Sequence, residues 1–266
     1  MKKKHFAIFV VLLCVSIPTI AQDTTYYDEH WEVTDAPGAA CYRLKTKKED
    51  LWQVKDCYKA GNIQMEGYYR DESCKISQGR FAYFDDKGHL YHISYNDDGQ
   101  LDGADTLFYD NNQIRTTGNY KDDERSGEWF GYYPSGKLSA RAMYKKGNQK
   151  SGEFYNEDGS KNESVHEFSS ESEYPGGPSA LQRFLTRNLH YPENEVHRSM
   201  QGTVIVGFIV TKEGKINKIK IVRSVDDSID QEAIRVIGLM PFWEPLIIGG
   251  ILCDSYRTQP IVFTLE

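Results

Sequence analysis

The fold of the C-terminal third of this chain is decided by residues 201–222, which read QGTVIVGFIVTKEGKINKIKIV. The first half is apolar on both faces of a period-2 pattern, which predicts a buried strand over 203–211. A charged, glycine-containing segment at 212–215 follows as a turn. In the second half Ile219 and Ile221 alternate with lysines, so one face is buried and the other is wet. The stretch therefore predicts a β-hairpin.

Two amphipathic helices are predicted, one on each side of this hairpin. Before it, apolar residues recur at helical spacing until Tyr191-Pro192, and proline disfavours helix at the residue before it. After it, a second helical pattern runs as far as Pro241. Each predicted start carries the spacing of a capping box. The two boxes pair Ser179 with Gln182 and Ser228 with Gln231.

A last strand is predicted over 256–265, and Pro260 within it indicates the edge of a sheet, because a central strand would lose a ladder hydrogen bond there. The expected fold is α+β, with two helices covering one face of a three-stranded antiparallel sheet. Such an exposed edge can accept an extended peptide as a new strand. Peptide binding is therefore the first functional hypothesis for this region.

Three further motifs accompany this pattern: Tyr-Pro-Gly-Gly at 174–177, Asn-Leu-His-Tyr-Pro at 188–192 and Met-Pro-x-Trp-x-Pro at 240–245. Together with the strands and helices, they resemble the TonB C-terminal domain over 174–266. The resemblance implies that the sheet captures a peptide near the N-terminus of outer-membrane TonB-dependent transporters. It also implies an inner-membrane proton-driven motor as a second partner, provided that the chain is anchored in that membrane.

The resemblance implies two peptide-contact regions, 188–192 and 256–263. Tyr191 would pack on the peptide and Arg257 would pair with it, whereas Trp243 is expected to be core packing rather than a ligand contact. The partner-binding residues predicted in this way are Asn188, His190, Tyr191, Pro192, Tyr256, Arg257, Thr258 and Ile261.

The middle of the chain repeats. Gly79, Gly103 and Gly127 recur every 24 residues, and a fixed period of this length indicates a repeat architecture. Each unit holds two short aromatic runs separated by turn residues, so an all-β meander of hairpins is expected over 22–160. The sequence from Gly118 to Trp129 resembles the MORN repeat and its bacterial variants. Turns are predicted at 86–88, 97–99, 134–136 and 146–148.

The aromatic residues of the array have two interpretations. The first is cross-strand packing, and the second is an exposed face that binds a peptide or a glycan. The segment 26–31, which precedes the repeats, is expected to be an edge strand that starts the sheet. A polar stretch at 161–173 is expected to be a linker to the C-terminal domain.

The N-terminus indicates export. Three lysines at 2–4 precede an apolar run at 6–20, and Thr-Ile-Ala at 19–21 fits a cleavage site, so 1–21 has the layout of a signal peptide. As a helix the run would span only about 22 Å, less than a bilayer core of about 30 Å. The alternative is a short inner-membrane anchor. Both place the rest of the chain in the periplasm or cell envelope.

The charge and composition of the chain limit which kinds of molecule it can bind. The formal net charge is −7, and it becomes more negative if the three N-terminal lysines are removed, which argues against nucleic acid. Four cysteines lie beyond residue 21, and export permits disulfides, with Cys41 to Cys57 as one candidate pair. The sequence departs from the TonB pattern in having only nine prolines, none of them clustered, so a proline-rich spacer is missing.

No catalytic motif is present, so we expect a protein that is not an enzyme and has no cofactor or metal. His89 and His92 lie three apart on a predicted strand and would face opposite sides, which makes a poor metal pair. The aspartates near 97–105 lack the spacing of an EF-hand and fit a polar hairpin turn. Three functional hypotheses remain: a TonB-like transducer that engages transporters, a secreted periplasmic adaptor without energy transduction, and an enzyme or lipid binder, for which no motif argues.

Overall fold

The computed structural model describes residues 23–192 and 200–264. The predicted signal peptide or anchor at 1–21 lies outside these residues. Two regions are found: an array of antiparallel strands, from Asp23 to Phe154, and a C-terminal module that begins at the helix Gly177–Asn188. Over the described ranges, neither helix combines the length and the apolar character needed to cross a membrane.

The array is a single antiparallel sheet in which the strands follow one another in chain order. All four predicted turns join consecutive strands, and their glycines include Gly88 at φ 87° and Gly136 at φ 82°, where other residues are strained. The all-β meander predicted from the repeats is therefore confirmed. Its strands within the described residues are β1 Asp23–Tyr27, β2 Cys41–Lys48, β3 Leu51–Tyr58, β4 Ile63–Tyr69, β5 Ser77–Phe84, β6 Leu90–Asp97, β7 Gln100–Phe108, β8 Ile114–Lys121, β9 Glu124–Tyr132, β10 Leu138–Lys145 and β11 Asn148–Phe154.

Two aromatic rings give the array its core. Phe81 lies over Gly67, and Trp129, two repeat periods later, lies over Gly118. Both rings are almost fully buried, and in each case a glycine provides the space that the ring fills. This agrees with the packing interpretation for these aromatics. Their edge-to-face partners are Tyr69 at 5.3 Å and Tyr120 at 5.2 Å.

Hydrogen bonds between neighbouring hairpins reinforce the array. The hydroxyl of Tyr109 donates to the carbonyl of Tyr132 at 2.7 Å. In the same way, the hydroxyl of Tyr133 donates to the backbone carbonyl of Tyr155 at 2.9 Å. Since each bond joins residues about one repeat apart, the repeated tyrosines fix successive hairpins to one another.

The C-terminal module has the predicted α+β fold. Its sheet has the order β14 (Ile216–Arg223), β13 (Gly202–Val210) and β17 (Ser255–Phe263), with both pairings antiparallel. Helices α1 (Gly177–Asn188) and α2 (Asp227–Gly238) supply the apolar residues that pack on one face. Each fully buried aliphatic or aromatic side chain stabilises this core by about 1.5–3 kcal/mol. The fully buried residues of β13 and α2 are Val204, Val206, Phe208, Val210, Ile229, Ala233, Val236 and Ile237.

Both predicted capping boxes are wrong. Helix α1 begins after Gly176, which has φ 81° and makes no side-chain cap, and a proline lies in its first turn. Helix α2 begins after Asp226, whose carboxylate accepts from the N–H of Ser228 at 3.1 Å. In each case a residue before the predicted serine already starts the helix.

A small sheet that the sequence did not predict joins the two regions. It consists of β12 (Ser169–Ser170), β15 (Leu246–Ile248) and β16 (Ile251–Cys253). The hairpin of β15 and β16 lies against the array at its tip, where the hydroxyl of Ser139 donates to the carbonyl of Gly249 at 2.7 Å and Gly131 touches the Gly249 backbone.

The segment 161–173 packs on the array as well. Phe168 is fully buried against Trp129 and Tyr144, and Val165 is buried beside them. A stretch that we expected to be a solvated linker therefore contributes to the core. Although the segment is mostly polar, its two apolar residues Val165 and Phe168 attach it to the array.

The cysteines do not form the candidate disulfide. Cys41, Cys57, Cys74 and Cys253 are free thiols. Cys41 lies opposite Tyr58 in the pairing of β2 with β3, and Cys57 is adjacent to Tyr58. Because successive side chains alternate between faces, the two thiols point to opposite sides of the sheet and cannot bond.

Candidate functional site

The edge of β17 is the candidate site. Strand β17 pairs with β13 over nine residue pairs, from Gly202 with Phe263 to Val210 with Ser255. In the described ranges, 23–192 and 200–264, no strand pairs with its other side. The sheet therefore ends in a row of unpaired backbone groups, which can template another strand.

Pro260 identifies which backbone groups face this edge. It lies opposite Ile205 within the continuous β13–β17 ladder. A proline is tolerated in a sheet when the position of its missing N–H faces away from the neighbouring strand. Since alternate residues point their N–H and C=O groups the same way, Tyr256, Thr258 and Val262 also face the open edge. Pro260 offers only an acceptor, and this carbonyl already accepts one hydrogen bond, from the Gln259 amide at 2.9 Å.

The side chains of the same residues cover the outer face of the sheet, away from the helices. Tyr256 is 51% exposed and Val262 is 57% exposed. The Tyr256 ring lies against Gly207 of β13, where a Cβ atom would overlap its hydroxyl, and Lys220 approaches that ring at 5.3 Å. The edge thus adjoins a partly apolar surface with one cation–π contact.

Arg257 is already engaged within the chain. Its Nε donates to the hydroxyl of Ser172 at 2.6 Å, and its Nη2 donates to the Ser172 carbonyl at 2.6 Å and to Glu171 at 2.8 Å. The predicted pairing of Arg257 with a peptide would have to break these bonds. In this structure Arg257 attaches β17 to the segment before α1.

Ile261 does not fit its predicted role. It is 2% exposed and belongs to the core between the sheet and the helices. Because its side chain points to the opposite face from those of Pro260 and Val262, it stabilises the strand from inside. Thr258, by contrast, is exposed, as a contact residue should be.

The segment 188–192 is attached to α2. Arg235 donates to the carbonyl of Asn188 at 2.6 Å, and its Nη2 lies 2.9 Å from Nδ1 of His190. The carboxylate of Glu232 accepts from the N–H of His190 at 2.6 Å and from Arg235 at 2.6 Å. These four residues form the α2 clasp, which holds the chain where it leaves α1. The amide of Asn188 donates back to Phe184 at 2.8 Å.

Glu232 supplies the carboxylate of this clasp. Burial opposes its ionisation, but the hydrogen bond from Arg235 and the one from the His190 N–H act more strongly, so the pKa of Glu232 lies below its usual value. The carboxylate is therefore charged at neutral pH and can hold both groups.

Tyr191 packs edge-to-face on Phe263, with ring centroids 5.7 Å apart. Its hydroxyl is buried and has no hydrogen-bond partner among residues 23–192 and 200–264. A hydroxyl left in this state costs free energy relative to a paired one. Pro192 follows, half-buried, as the last residue described before 193–199.

The predicted site residues therefore lie in two groups at opposite ends of one strand. Tyr191 adjoins Phe263, while Arg257 lies six residues earlier, which in a strand corresponds to about 20 Å. Sequence reasoning missed Glu232 and Arg235, although their spacing of three on a helix is a recognisable ion-pair signal. It also missed Glu171 and Ser172, which no local pattern connects to Arg257.

The two histidines considered as metal ligands make other contacts. His89 lies in a turn, with Nδ1 3.0 Å from Asp85, and Nε2 of His92 lies 2.6 Å from Asp105. In the part of the chain that the structure describes, no group of three or more His, Cys, Asp or Glu is placed to hold a metal ion.

Comparison with known proteins identifies the module. Residues 187–265 match the family described as Gram-negative bacterial TonB protein C-terminal. The match covers less than half of the chain, so it assigns a TonB C-terminal domain to this segment only. No curated protein matches the chain significantly.

Solved structures give weaker likenesses. An NMR structure of the Helicobacter pylori TonB-CTD is 23% identical, with a TM-score of 0.27, over 32% of this chain and 78% of that one. A second NMR structure of the same domain is 22% identical, with a TM-score of 0.26, over 32% and 90%. A GtfA/B complex bound to UDP and GlcNAc is 15% identical, with a TM-score of 0.20, over 37% and 19%. TM-scores this low support no statement about function.

Proposed function

We propose that this chain is a TonB-like cell-envelope protein whose C-terminal module binds an outer-membrane transporter. The transporter would contribute a short extended peptide that adds to the open edge of β17. The observation that carries this proposal is the unpaired edge of β17 within the segment that matches the TonB C-terminal family. Its recognition is non-catalytic, and it needs no cofactor.

The affinity would come mainly from the backbone. Tyr256, Thr258 and Val262 each offer an N–H and a C=O to an incoming strand, and Pro260 offers a C=O alone. The edge therefore lacks one backbone N–H, at Pro260. An N–H of the peptide can bond to the Pro260 carbonyl there, but a peptide carbonyl finds no donor. The peptide register is set around this gap.

The selectivity would come from the side chains beside the edge. Tyr256 and Val262 provide exposed apolar surface, and Tyr191 lies at the far end of the strand, against Phe263. A peptide that pairs along the strand from Tyr256 to Phe263 would need about eight residues, one opposite each residue of the strand. Of the predicted contacts, this arrangement retains Tyr191, Tyr256 and Thr258.

The proposed setting is the periplasm, reached through the segment 1–21. Engagement of a proton-driven motor to support energy-dependent transport requires that this segment remains as an inner-membrane anchor. Sequencing the mature N-terminus from cell envelopes distinguishes the two cases. A chain that begins at Met1 supports a transducer, whereas one that begins near residue 22 supports an adaptor without energy transduction.

The edge itself is tested by calorimetry of the full chain with synthetic N-terminal peptides of outer-membrane transporters. Thr258→Pro removes the edge N–H at an exposed position, and we expect it to weaken peptide binding at least tenfold. Thr258→Val is the matched control, because it keeps the N–H and a similar shape, and it should bind within about twofold of the wild type. A tenfold loss corresponds to about 1.4 kcal/mol, the scale of one or two backbone hydrogen bonds.

Two results would contradict the proposal. The first is no binding by the wild-type chain of any transporter peptide. The second is equal binding by Thr258→Pro, with a circular dichroism spectrum that shows an intact fold. The second result would leave peptide binding possible but remove it from β17.

A further inference from the structure

A cleft lies where the array meets the C-terminal module. It has a volume of about 390 Å³, and we call it the junction cleft. The array supplies Leu107 and Arg125, β12 supplies Ser169 and Ser170, and β15 supplies Leu246–Ile248. None of its lining residues belongs to β17, and both regions of the molecule are needed to form it.

Arg125 is the charged group of this cleft. Its guanidinium lies over the ring of Trp129 at 4.7 Å, near Tyr144 at 5.4 Å and near Phe168 at 5.7 Å. It donates to the Tyr144 hydroxyl at 3.2 Å and to the Ser169 hydroxyl at 3.3 Å. All these partners are neutral. Among the residues that the structure describes, Arg125 forms no ion pair, although several other arginines of the chain do.

This arrangement is unusual for a half-buried cation. A guanidinium keeps its charge in proteins, and a buried charge is normally paired. Three aromatic rings and two hydroxyls hold Arg125 in one orientation, so little conformational freedom remains to be lost on binding. Tyr120 is a further neutral hydrogen-bond partner of Arg125, and the guanidinium, which has five N–H donors in all, lines the cleft.

The rest of the lining is mainly apolar. Leu107 forms one wall, and Leu246, Ile247 and Ile248 contribute the other. A matching ligand therefore carries an anionic head on an apolar body. Glu171 stands at the rim, bonded to Arg257 at 2.8 Å, and its negative charge disfavours a doubly charged head such as a phosphate.

We propose that the junction cleft binds a small apolar monocarboxylate. The carboxylate accepts two hydrogen bonds from the guanidinium of Arg125. The apolar chain of the ligand lies against Leu107 and β15. The volume of the cleft is within the range of small-molecule sites. Because the ligand would touch the array and the hairpin of β15 and β16 together, it would also brace the junction between the two regions. This site does not depend on the proposed function of β17.

The probe is octanoate, titrated into the full chain and followed by calorimetry. Octanol tests the need for the charge, acetate tests the need for the apolar body, and octyl phosphate tests the effect of a second charge. We expect octanoate to bind at least tenfold more tightly than each of the other three.

Two variants locate the site. Arg125→Gln keeps a hydrogen-bonding group but removes the charge, and we expect it to weaken octanoate binding at least tenfold. Arg80→Gln is the matched control: it removes an exposed array arginine that faces Glu66 at 3.6 Å, outside the cleft, and it should leave binding unchanged. Equal octanoate binding by Arg125→Gln and the wild type would overturn the proposal.

A measurement on the unmodified protein keeps the proposal testable if Arg125→Gln fails to fold. Octanoate should shift the methyl resonances of Leu107, Ile247 and Ile248 and leave Val262 unchanged. Shifts spread over the exposed apolar face of the module instead, or no binding at all, would contradict the assignment.

Discussion

The array and the C-terminal module are both antiparallel sheets, but they differ in how far apart along the chain their partners lie. In the array each strand bonds to the next one along the chain, in most cases across a short turn. In the module the central strand β13 closes with β17, so that Gly202 pairs with Phe263. Local pairing builds a sheet by repetition. Pairing between strands that are far apart in sequence joins the helices, the hairpin and the edge strand into one unit. Within the described residues it leaves one side of β17 unpaired.

The largest effect should come from the glycines under aromatic rings, because the two regions use them differently. A Cβ at Gly118 would overlap Trp129, whose buried ring cannot move away. A Cβ at Gly207 would overlap the end of Tyr256, which is half-exposed and can swing outward. We expect Gly118→Ala to lower the free energy of unfolding by about 2 kcal/mol and Gly207→Ala by less than about 1 kcal/mol. Urea denaturation measures both, and equal losses would refute the comparison.

A smaller effect is expected where the two regions touch. A Cβ at Gly131 would overlap the carbonyl of Gly249, so Gly131→Ala should lift the hairpin from the array and break its bond to Ser139, at a cost of about 1 kcal/mol. Differential scanning calorimetry should then resolve two transitions. Met143→Ala, on the opposite face of β10, is the control and should keep the wild-type profile. An unchanged profile for Gly131→Ala would mean that the hairpin does not couple the two regions.

Tyr191 gives a test within the module alone. Its hydroxyl is buried without a partner among the residues that the structure describes, whereas its ring packs on Phe263. Tyr191→Phe removes the unpaired group and keeps the ring, so we expect the free energy of unfolding to rise by up to about 1 kcal/mol. A loss of stability would show that the hydroxyl is satisfied in solution. Tyr191→Ala, which removes the ring as well, should destabilise the module and weaken peptide binding.

The smallest effect concerns pH. The pKa of Glu232 is lowered in the folded chain, so its contribution to stability is present above the unfolded-state value of about 4.3 and is lost as the pH falls through the folded value. The wild type should therefore lose more stability between pH 5 and pH 3 than Glu232→Gln does. Glu213→Gln, at an exposed turn, is the charge-matched control. Parallel curves for wild type and Glu232→Gln would indicate that the α2 clasp is not formed in solution.

The sequence predicted the array well because its information is local. Turns such as 86–88 and 146–148 contain glycine at the positions that need positive φ, and the strands on either side pair with each other. In the module, the alternation around Val204 and Val206 and the proline in the last strand predicted a buried centre and an open edge. The sheet order confirms both.

The failures concern residues whose partners are distant or whose signals compete. Arg257 was assigned to the peptide by the family resemblance, and no local pattern shows that Ser172, 85 residues earlier, binds it. Ser179 and Ser228 carried a capping spacing, but Gly176 and Asp226 start the helices. The hairpin of β15 and β16 was missed because its strands are only three residues long, although Gly249 and Gly250 form a recognisable turn signal between them.

The array also sets a length. Neighbouring strands are about 4.8 Å apart, so each repeat of two strands adds about 10 Å across the sheet, and the step from β1 to β11 is about 48 Å along the surface. The module touches the array near Gly131 and Ser139, on its last few strands. Whole repeats can therefore be gained or lost at the N-terminal side without disturbing a single contact of the module. A chain with one repeat more or fewer would therefore have a sheet about 10 Å longer or shorter.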